Sequence, residues 1–191
     1  MKHLKLFESF SEENIHDICR EYGIENYTIN EDGSIDVEGN VNLVNMYLTK
    51  LPLNFRNVTG YFKCGNNHLT TLEGCPKSVG GVFSCYSNNL TSLKGCPEFV
   101  GKSLDCRHNK ITTFEHFPIS MGGYLWCVAN PINEVWKLFE DYYKIEFLND
   151  CDPIREPDDS EEPIIILDRL NYFLKEIGKP TVTEVKGYKC I

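Results

Sequence analysis

The chain has 191 residues, a formal net charge of −9 and 41% hydrophobic content, the profile of an ordinary globular protein and a poor match for general affinity to nucleic acid or an anionic membrane. The charge is uneven: seven acids and one Arg lie between Asp150 and Glu162, which leaves only −3 for everything else. No stretch approaches the roughly 18 apolar residues of a membrane span. Lys5 and Glu8 break the apolar opening before it reaches the about 7–15 residues of a secretory leader. The reading is a cytoplasmic protein, where cysteines stay reduced.

In chain order, Ser11-Glu12-Glu13 opens a predicted helix to about Tyr22, with acids in its first turn, Ile15, Ile18 and Cys19 on one face and Gly23 as its stop. YTIN and SIDVEGNV read as two strands around Asp32-Gly33, a strong hairpin-turn signal. A degenerate first repeat follows from about Val41 to Asn57, with Met46 in the column where later units carry Asn.

The body of the chain repeats every 21 residues. Cys64, Cys85, Cys106 and Cys127 form one column, and Asn67, Asn88, Asn109 and Asn130 another. Leu69, Leu90, Ile111 and Ile132 share the period, as do Leu72, Leu93, Phe114 and Val135, Phe62, Phe83, Leu104 and Leu125, and Val58, Val79, Val100 and Met121. Pro76, Pro97 and Pro118 complete the set. Phe and Cys two residues apart point to one side of a strand, and stacked strands lie about 4.8 Å apart. The Asn side chain then turns inward to bond backbone groups of adjoining coils that no ladder satisfies, a role whose loss costs about 1–3 kcal/mol. The cysteines are read as a packing column of small buried hydrophobes. Phe117 takes the third place after Cys75 and Cys96, an exchange that suits a core and not a ligand. No paired CxxC spacing points to zinc, so no metal and no cofactor are expected.

The unit F-x-C-x-x-N-x-L-T-x-L-x-G-C-P-x-x-V resembles the leucine-rich repeat, with Cys in place of the second Leu. Asn88 to Val100, NNLTSLKGCPEFV, resembles in particular the short repeat of secreted bacterial effectors, with Lys94 and Cys96 departing from that form. The whole chain, from MKHLKLFESF through the GCPxxVG turns to the acidic tail, resembles short leucine-rich-repeat proteins of tailed bacteriophages. That resemblance implies no particular activity; it implies a phage origin and a location in the host cytosol.

After the repeats, NEVWKLFEDYYKIEFL reads as one amphipathic helix over the open end, DCDPIREPDDSEEP as an acidic loop, and PIIILDRLNYFLKEIG as a second helix stopped by Gly178 and Pro180. The expected architecture is α+β: a leucine-rich-repeat-like solenoid with a short parallel sheet over 41–135, an N-terminal helix and hairpin cap over 1–40, and a C-terminal helical cap over 136–191 with its acidic loop at 150–162.

Strand positions between the packed columns face outward, on the expected concave side. Tyr61, Val82, Ser103 and Tyr124 form one row, Lys63, Ser84, Asp105 and Trp126 the next, and Gly65, Tyr86, Arg107 and Val128 a third, with Asn66, Ser87, His108 and Ala129 at the turn. These positions vary while their neighbours repeat. Aromatic residues and Arg dominate interface energetics, so Tyr61, Lys63, Ser84, Tyr86, Asp105, Arg107, His108, Tyr124 and Trp126 are the candidate binding face for a protein partner. No catalytic set is expected: Asp105, Arg107 and His108 lack a periodic nucleophile, and Cys151-Asp152 departs by one residue from the Cys-x-Asp of effector ubiquitin ligases. The function expected is a non-enzymatic interaction module. Two other readings are a nucleotide or small-molecule sequestering protein using Tyr86, Arg107 and Trp126, and a self-associating structural subunit.

Overall fold

The computed structural model describes residues 12–155 and 162–191. The opening segment MKHLKLFESF and most of the acidic stretch, 156–161, lie outside them. Helix α1 (Glu12–Glu21) buries Ile15 and Cys19 and leads into an antiparallel hairpin, β1 (Tyr27–Ile29) and β2 (Ile35–Val37). Its turn is fixed by Asp32, whose carboxylate accepts from the Ser34 hydroxyl and backbone N–H.

The repeats build two sheets where one was expected. In the first, β2 continues into β4 (Phe55–Val58), β6 (Ser78–Val79), β8 (Phe99–Val100) and β10 (Ser120–Met121), all parallel. The second holds β3 (Val41–Asn42), β5 (Phe62–Lys63), β7 (Phe83–Ser84), β9 (Leu104–Asp105) and β11 (Leu125–Trp126), also parallel throughout. From β3 and β4 onward each parallel pair joins residues 21 positions apart, as in Phe62 with Phe83 and Val79 with Val100.

Between the sheets lies the core. Phe62, Phe83, Leu69, Leu72, Leu90, Leu93, Leu104, Ile111 and Phe114 are fully buried, and Phe62 stacks on Phe83 with ring centroids 6.0 Å apart. Cys64, Cys85, Cys106 and Cys127 are buried among them. All nine cysteines are free thiols. Beside the first sheet, Gly80, Gly101 and Gly122 stack so closely that a Cβ on each would overlap the carbonyl oxygen of Thr59, Gly80 and Gly101 in turn. Only glycine fits such a backbone approach.

The asparagines do what their period predicts. Asn88 Nδ2 donates to the carbonyls of Cys64 and Cys85, both at 3.0 Å, and its Oδ1 accepts from the Leu69 N–H at 2.9 Å. Asn67, Asn109 and Asn130 repeat the pattern. Each Asn bonds the unit before its own, and Asn67 serves the degenerate first repeat in this way, accepting in addition from the N–H of Met46. At the adjoining corner Asn45, Asn66, Ser87, His108 and Ala129 all hold left-handed backbone, with φ between 49° and 62°.

The C-terminal helix expected over NEVWKLFEDYYKIEFL is broken in two. Helix α2 (Ile132–Phe139) ends at Glu140, which is left-handed at φ 49°; Asp141 then caps a 3₁₀ turn (Tyr142–Lys144) by accepting from the Tyr143 N–H, and α3 (Ile145–Cys151) follows. The repeat columns run into α2: Ile132 and Val135 are buried in the places of Ile111 and Phe114 one unit earlier. Phe139 meets Phe114 edge-on at 5.8 Å and Phe173 of α4 (Leu167–Glu176) at 5.4 Å, which closes the end of the core. The tail forms a small sheet of β12 (Ile154–Arg155), β13 (Ile164–Ile165) and β14 (Lys189–Cys190), anchored by the Tyr188 hydroxyl donating to the Thr112 carbonyl at 2.7 Å. Among the described residues no helix is long and apolar enough to cross a membrane.

Candidate functional site

The outer face of the second sheet carries the predicted binding residues, and its register sets which of them meet. Lys63 pairs with Ser84, Ser84 with Asp105, and Asp105 with Trp126, so these four stand in one row across β5, β7, β9 and β11. The row is not uniformly available. Ser84 is 4% exposed and Asp105 6%. This corrects the expectation that every outward strand position is free to bind. Both are short side chains flanked by Lys63, Tyr86, Arg107 and Trp126, and longer neighbours shade shorter ones.

The remaining residues form two groups. On β5 the Lys63 ammonium lies 4.5 Å from the centre of the Tyr61 ring; both residues are half-buried. Over β9 and β11 the Arg107 guanidinium sits 5.8 Å from the Trp126 ring centre. Arg107 also makes a two-pronged pair with Asp105, Nε to Oδ1 at 2.8 Å and Nη2 to Oδ2 at 2.9 Å. Asp105 accordingly raises the Arg107 pKa above its ordinary value, by hydrogen bonding first and by charge second. The buried carboxylate thus has its counter-charge, while the guanidinium remains exposed at the surface. Tyr86 lies across Gly65, where a Cβ would collide with its ring, which explains why a bulky residue just after β7 faces a glycine one unit earlier.

Tyr124, Trp126 and Val128 alternate along and just beyond β11 and are 75%, 41% and 57% exposed. They form the apolar end of the face. His108 is exposed at the left-handed corner, and its backbone N–H donates to the Val128 carbonyl. The carboxylate of Asp105 is engaged by Arg107, through its side chain and its backbone N–H.

Burial disfavours the thiolate at three cysteines of the packing column. Burial pushes the Cys85 and Cys106 thiols well up and Cys127 to about 12. Each stays protonated at neutral pH, and the thiolate is the reactive form. Among the described residues no group of three or more His, Cys, Asp or Glu is placed to hold a metal ion.

Sequence reasoning passed over a second aromatic group, where Phe117 approaches Tyr142 at 6.1 Å and Tyr142 meets Tyr143 at 5.4 Å. Its signal was the Tyr-Tyr pair after Glu140-Asp141, hidden as long as that stretch read as one continuous helix. No family model matches the chain, and neither curated proteins nor solved structures give a match.

Proposed function

We propose that this chain is a short leucine-rich-repeat-like solenoid of 21-residue coils that acts as a non-enzymatic protein-binding module, with the partner seated on the outer face of the second sheet around Trp126. The observation that carries the reading is the contrast within single strands. Positions that point into the core repeat from unit to unit, whereas the outward ones change at every step and end in the exposed cluster of Tyr124, Trp126 and Val128. The constant register of 21 residues through both sheets supports the solenoid description. The resemblance to phage leucine-rich-repeat proteins makes a host cytosolic protein the partner to look for.

Asp105 occupies the Nε and Nη2 edge of Arg107 and offsets its charge, which weakens the case for a nucleotide-sequestering face without removing the Nη1 donors. Arg107 is also a poor site for a disabling substitution, since its loss would leave Asp105 buried without a counter-charge. The better variant is Tyr124→Ala with Trp126→Ala. Capture from host cytosol by the wild-type chain, lost by this variant at unchanged melting temperature, is the expected result. Capture by both places the interaction elsewhere. Capture by neither, with light scattering showing a dimer or larger species, favours self-association.

A further inference from the structure

A cavity of about 320 Å³ opens where the last repeat meets the C-terminal helices, lined by Phe117 and Ile119 on one side and by Tyr142, Tyr143, Glu146 and Asp150 on the other. It lies away from the outer sheet face. Three of its lining groups are aromatic rings set at angles to one another, 44° between Phe117 and Tyr142 and 62° between Tyr142 and Tyr143. The inner ring is held in place: the Tyr142 hydroxyl donates to the Pro118 carbonyl at 2.8 Å. The outer one, Tyr143, is 84% exposed and stands at the rim.

The electrostatics of this cavity are one-sided. Ring faces attract cations, and desolvated aromatic cages are a known means of holding quaternary and alkyl ammonium groups. Glu146 and Asp150 add two carboxylates, His116 adds an imidazole at the edge, and no Lys or Arg lines the space. Among the described residues neither carboxylate takes part in an ion pair, and the cation–π contacts occur elsewhere, at Tyr61 and Trp126. On the sheet face each aromatic is matched by a Lys or Arg of the same chain; in this cavity the aromatics and the carboxylates are matched by neither, and the only basic side chain in the lining is the His116 imidazole.

We propose that this cavity binds an organic cation, an ammonium or guanidinium group on an alkyl stem, with the rings of Phe117, Tyr142 and Tyr143 around the charge and Glu146 and Asp150 beside it. Such a group arrives either as a free amine or as the side chain of a Lys or Arg on another protein. The shared chemistry is tested by following the aromatic ring signals of the full chain by NMR. Choline, spermidine and N-acetyl-lysine methylamide are titrated at constant ionic strength, with 3,3-dimethylbutanol as the uncharged isostere of choline.

The expected result is a saturable shift of the Tyr142 and Tyr143 rings with at least one cation and none with the alcohol. Tyr143→Ala, at an exposed position that leaves folding intact, should weaken that binding by about threefold or more, the weight of one exposed cation–π contact. Glu146→Gln with Asp150→Asn should weaken it further while leaving the alcohol's behaviour unchanged. Tighter saturation by spermidine or choline identifies a free amine as the source, and tighter saturation by the lysine derivative identifies a protein side chain. An equal response to the alcohol, a response untouched by Tyr143→Ala, or no saturable response to any of the three cations overturns the proposal.

Discussion

The two faces of β5, β7, β9 and β11 obey different rules. Inward, Phe62, Phe83, Leu104 and Leu125 alternate with an unbroken line of Cys, and Asn67, Asn88, Asn109 and Asn130 each tie at least three backbone groups at the turn. Outward, the same strands carry Lys63, Ser84, Asp105 and Trp126 in one row, four chemistries in four steps. Both faces share one backbone and one register. The difference teaches that the inner residues are held by the fold, because each has a neighbour one unit away with the same need, while the outer ones are left to other demands.

If that division is right, the inner face should fail under conditions the outer face ignores. The largest effect is expected from alkaline pH. The folded pKa values of Cys85, Cys106 and Cys127 are raised by burial from an ordinary value of 9.0. The stability these neutral thiols carry is fully present below about pH 9, where they are protonated folded or unfolded. It is lost as pH rises toward the folded values, because only the unfolded chain can ionise. Each thiol contributes a slope of about 1.4 kcal/mol per pH unit, so urea midpoints should hold between pH 7 and 8.5 and fall steeply above 9. A flat profile to pH 11 would show that the column is hydrated.

Next in size is Asn88→Ala. It strands the N–H of Leu69 and takes one of two amide donors from each of the Cys64 and Cys85 carbonyls, which keep Asn67 and Asn109. A buried group without a partner costs about 1–3 kcal/mol, so equilibrium unfolding should register a loss of about 2 kcal/mol. Gly101→Ala should cost less but more than about 1 kcal/mol, since its Cβ would press on the Gly80 carbonyl and the backbone there has little room to retreat. The smallest effect on stability belongs to the outer face: Tyr124→Ala with Trp126→Ala should change unfolding free energy by about 0.5 kcal/mol per site or less. The same pair should weaken capture of a partner by about thirtyfold, equivalent to about 2 kcal/mol at an aromatic anchor. Were the stability loss instead comparable to that of Asn88→Ala, the two faces would not be separable in the way their sequences suggest.

Legibility followed the same division. The Asn and Cys columns could be read from the sequence because each position has one physical job that recurs, and recurrence is visible in a single chain. The first sheet was not read as strands, although Val58, Val79, Val100 and Met121 stood out as a column. Its two-residue strands at β6, β8 and β10 bury one residue apiece amid turn-forming glycines, and one buried residue is no alternation. The break at Glu140 was invisible for a different reason: the apolar period of α2 continues past it, and only the left-handed backbone there turns the chain. The burial of Ser84 and Asp105 depends on what stands beside them in units far away in sequence, which no local pattern records. For the same reason the aromatic group of Phe117, Tyr142 and Tyr143 could be assembled only once the turn after α2 was known.

The constant step of 21 residues between paired strands also bears on how the chain is made. Every added strand closes a loop of the same length, so the entropic cost of docking it is nearly the same at each stage. A nascent chain can therefore add one unit at a time to the unit before it, without waiting for distant sequence. The leading edge of that growing stack is apolar throughout, and it stays bare to solvent and chaperones until Ile132 and Val135 of α2, emerging after the last repeat, settle over it.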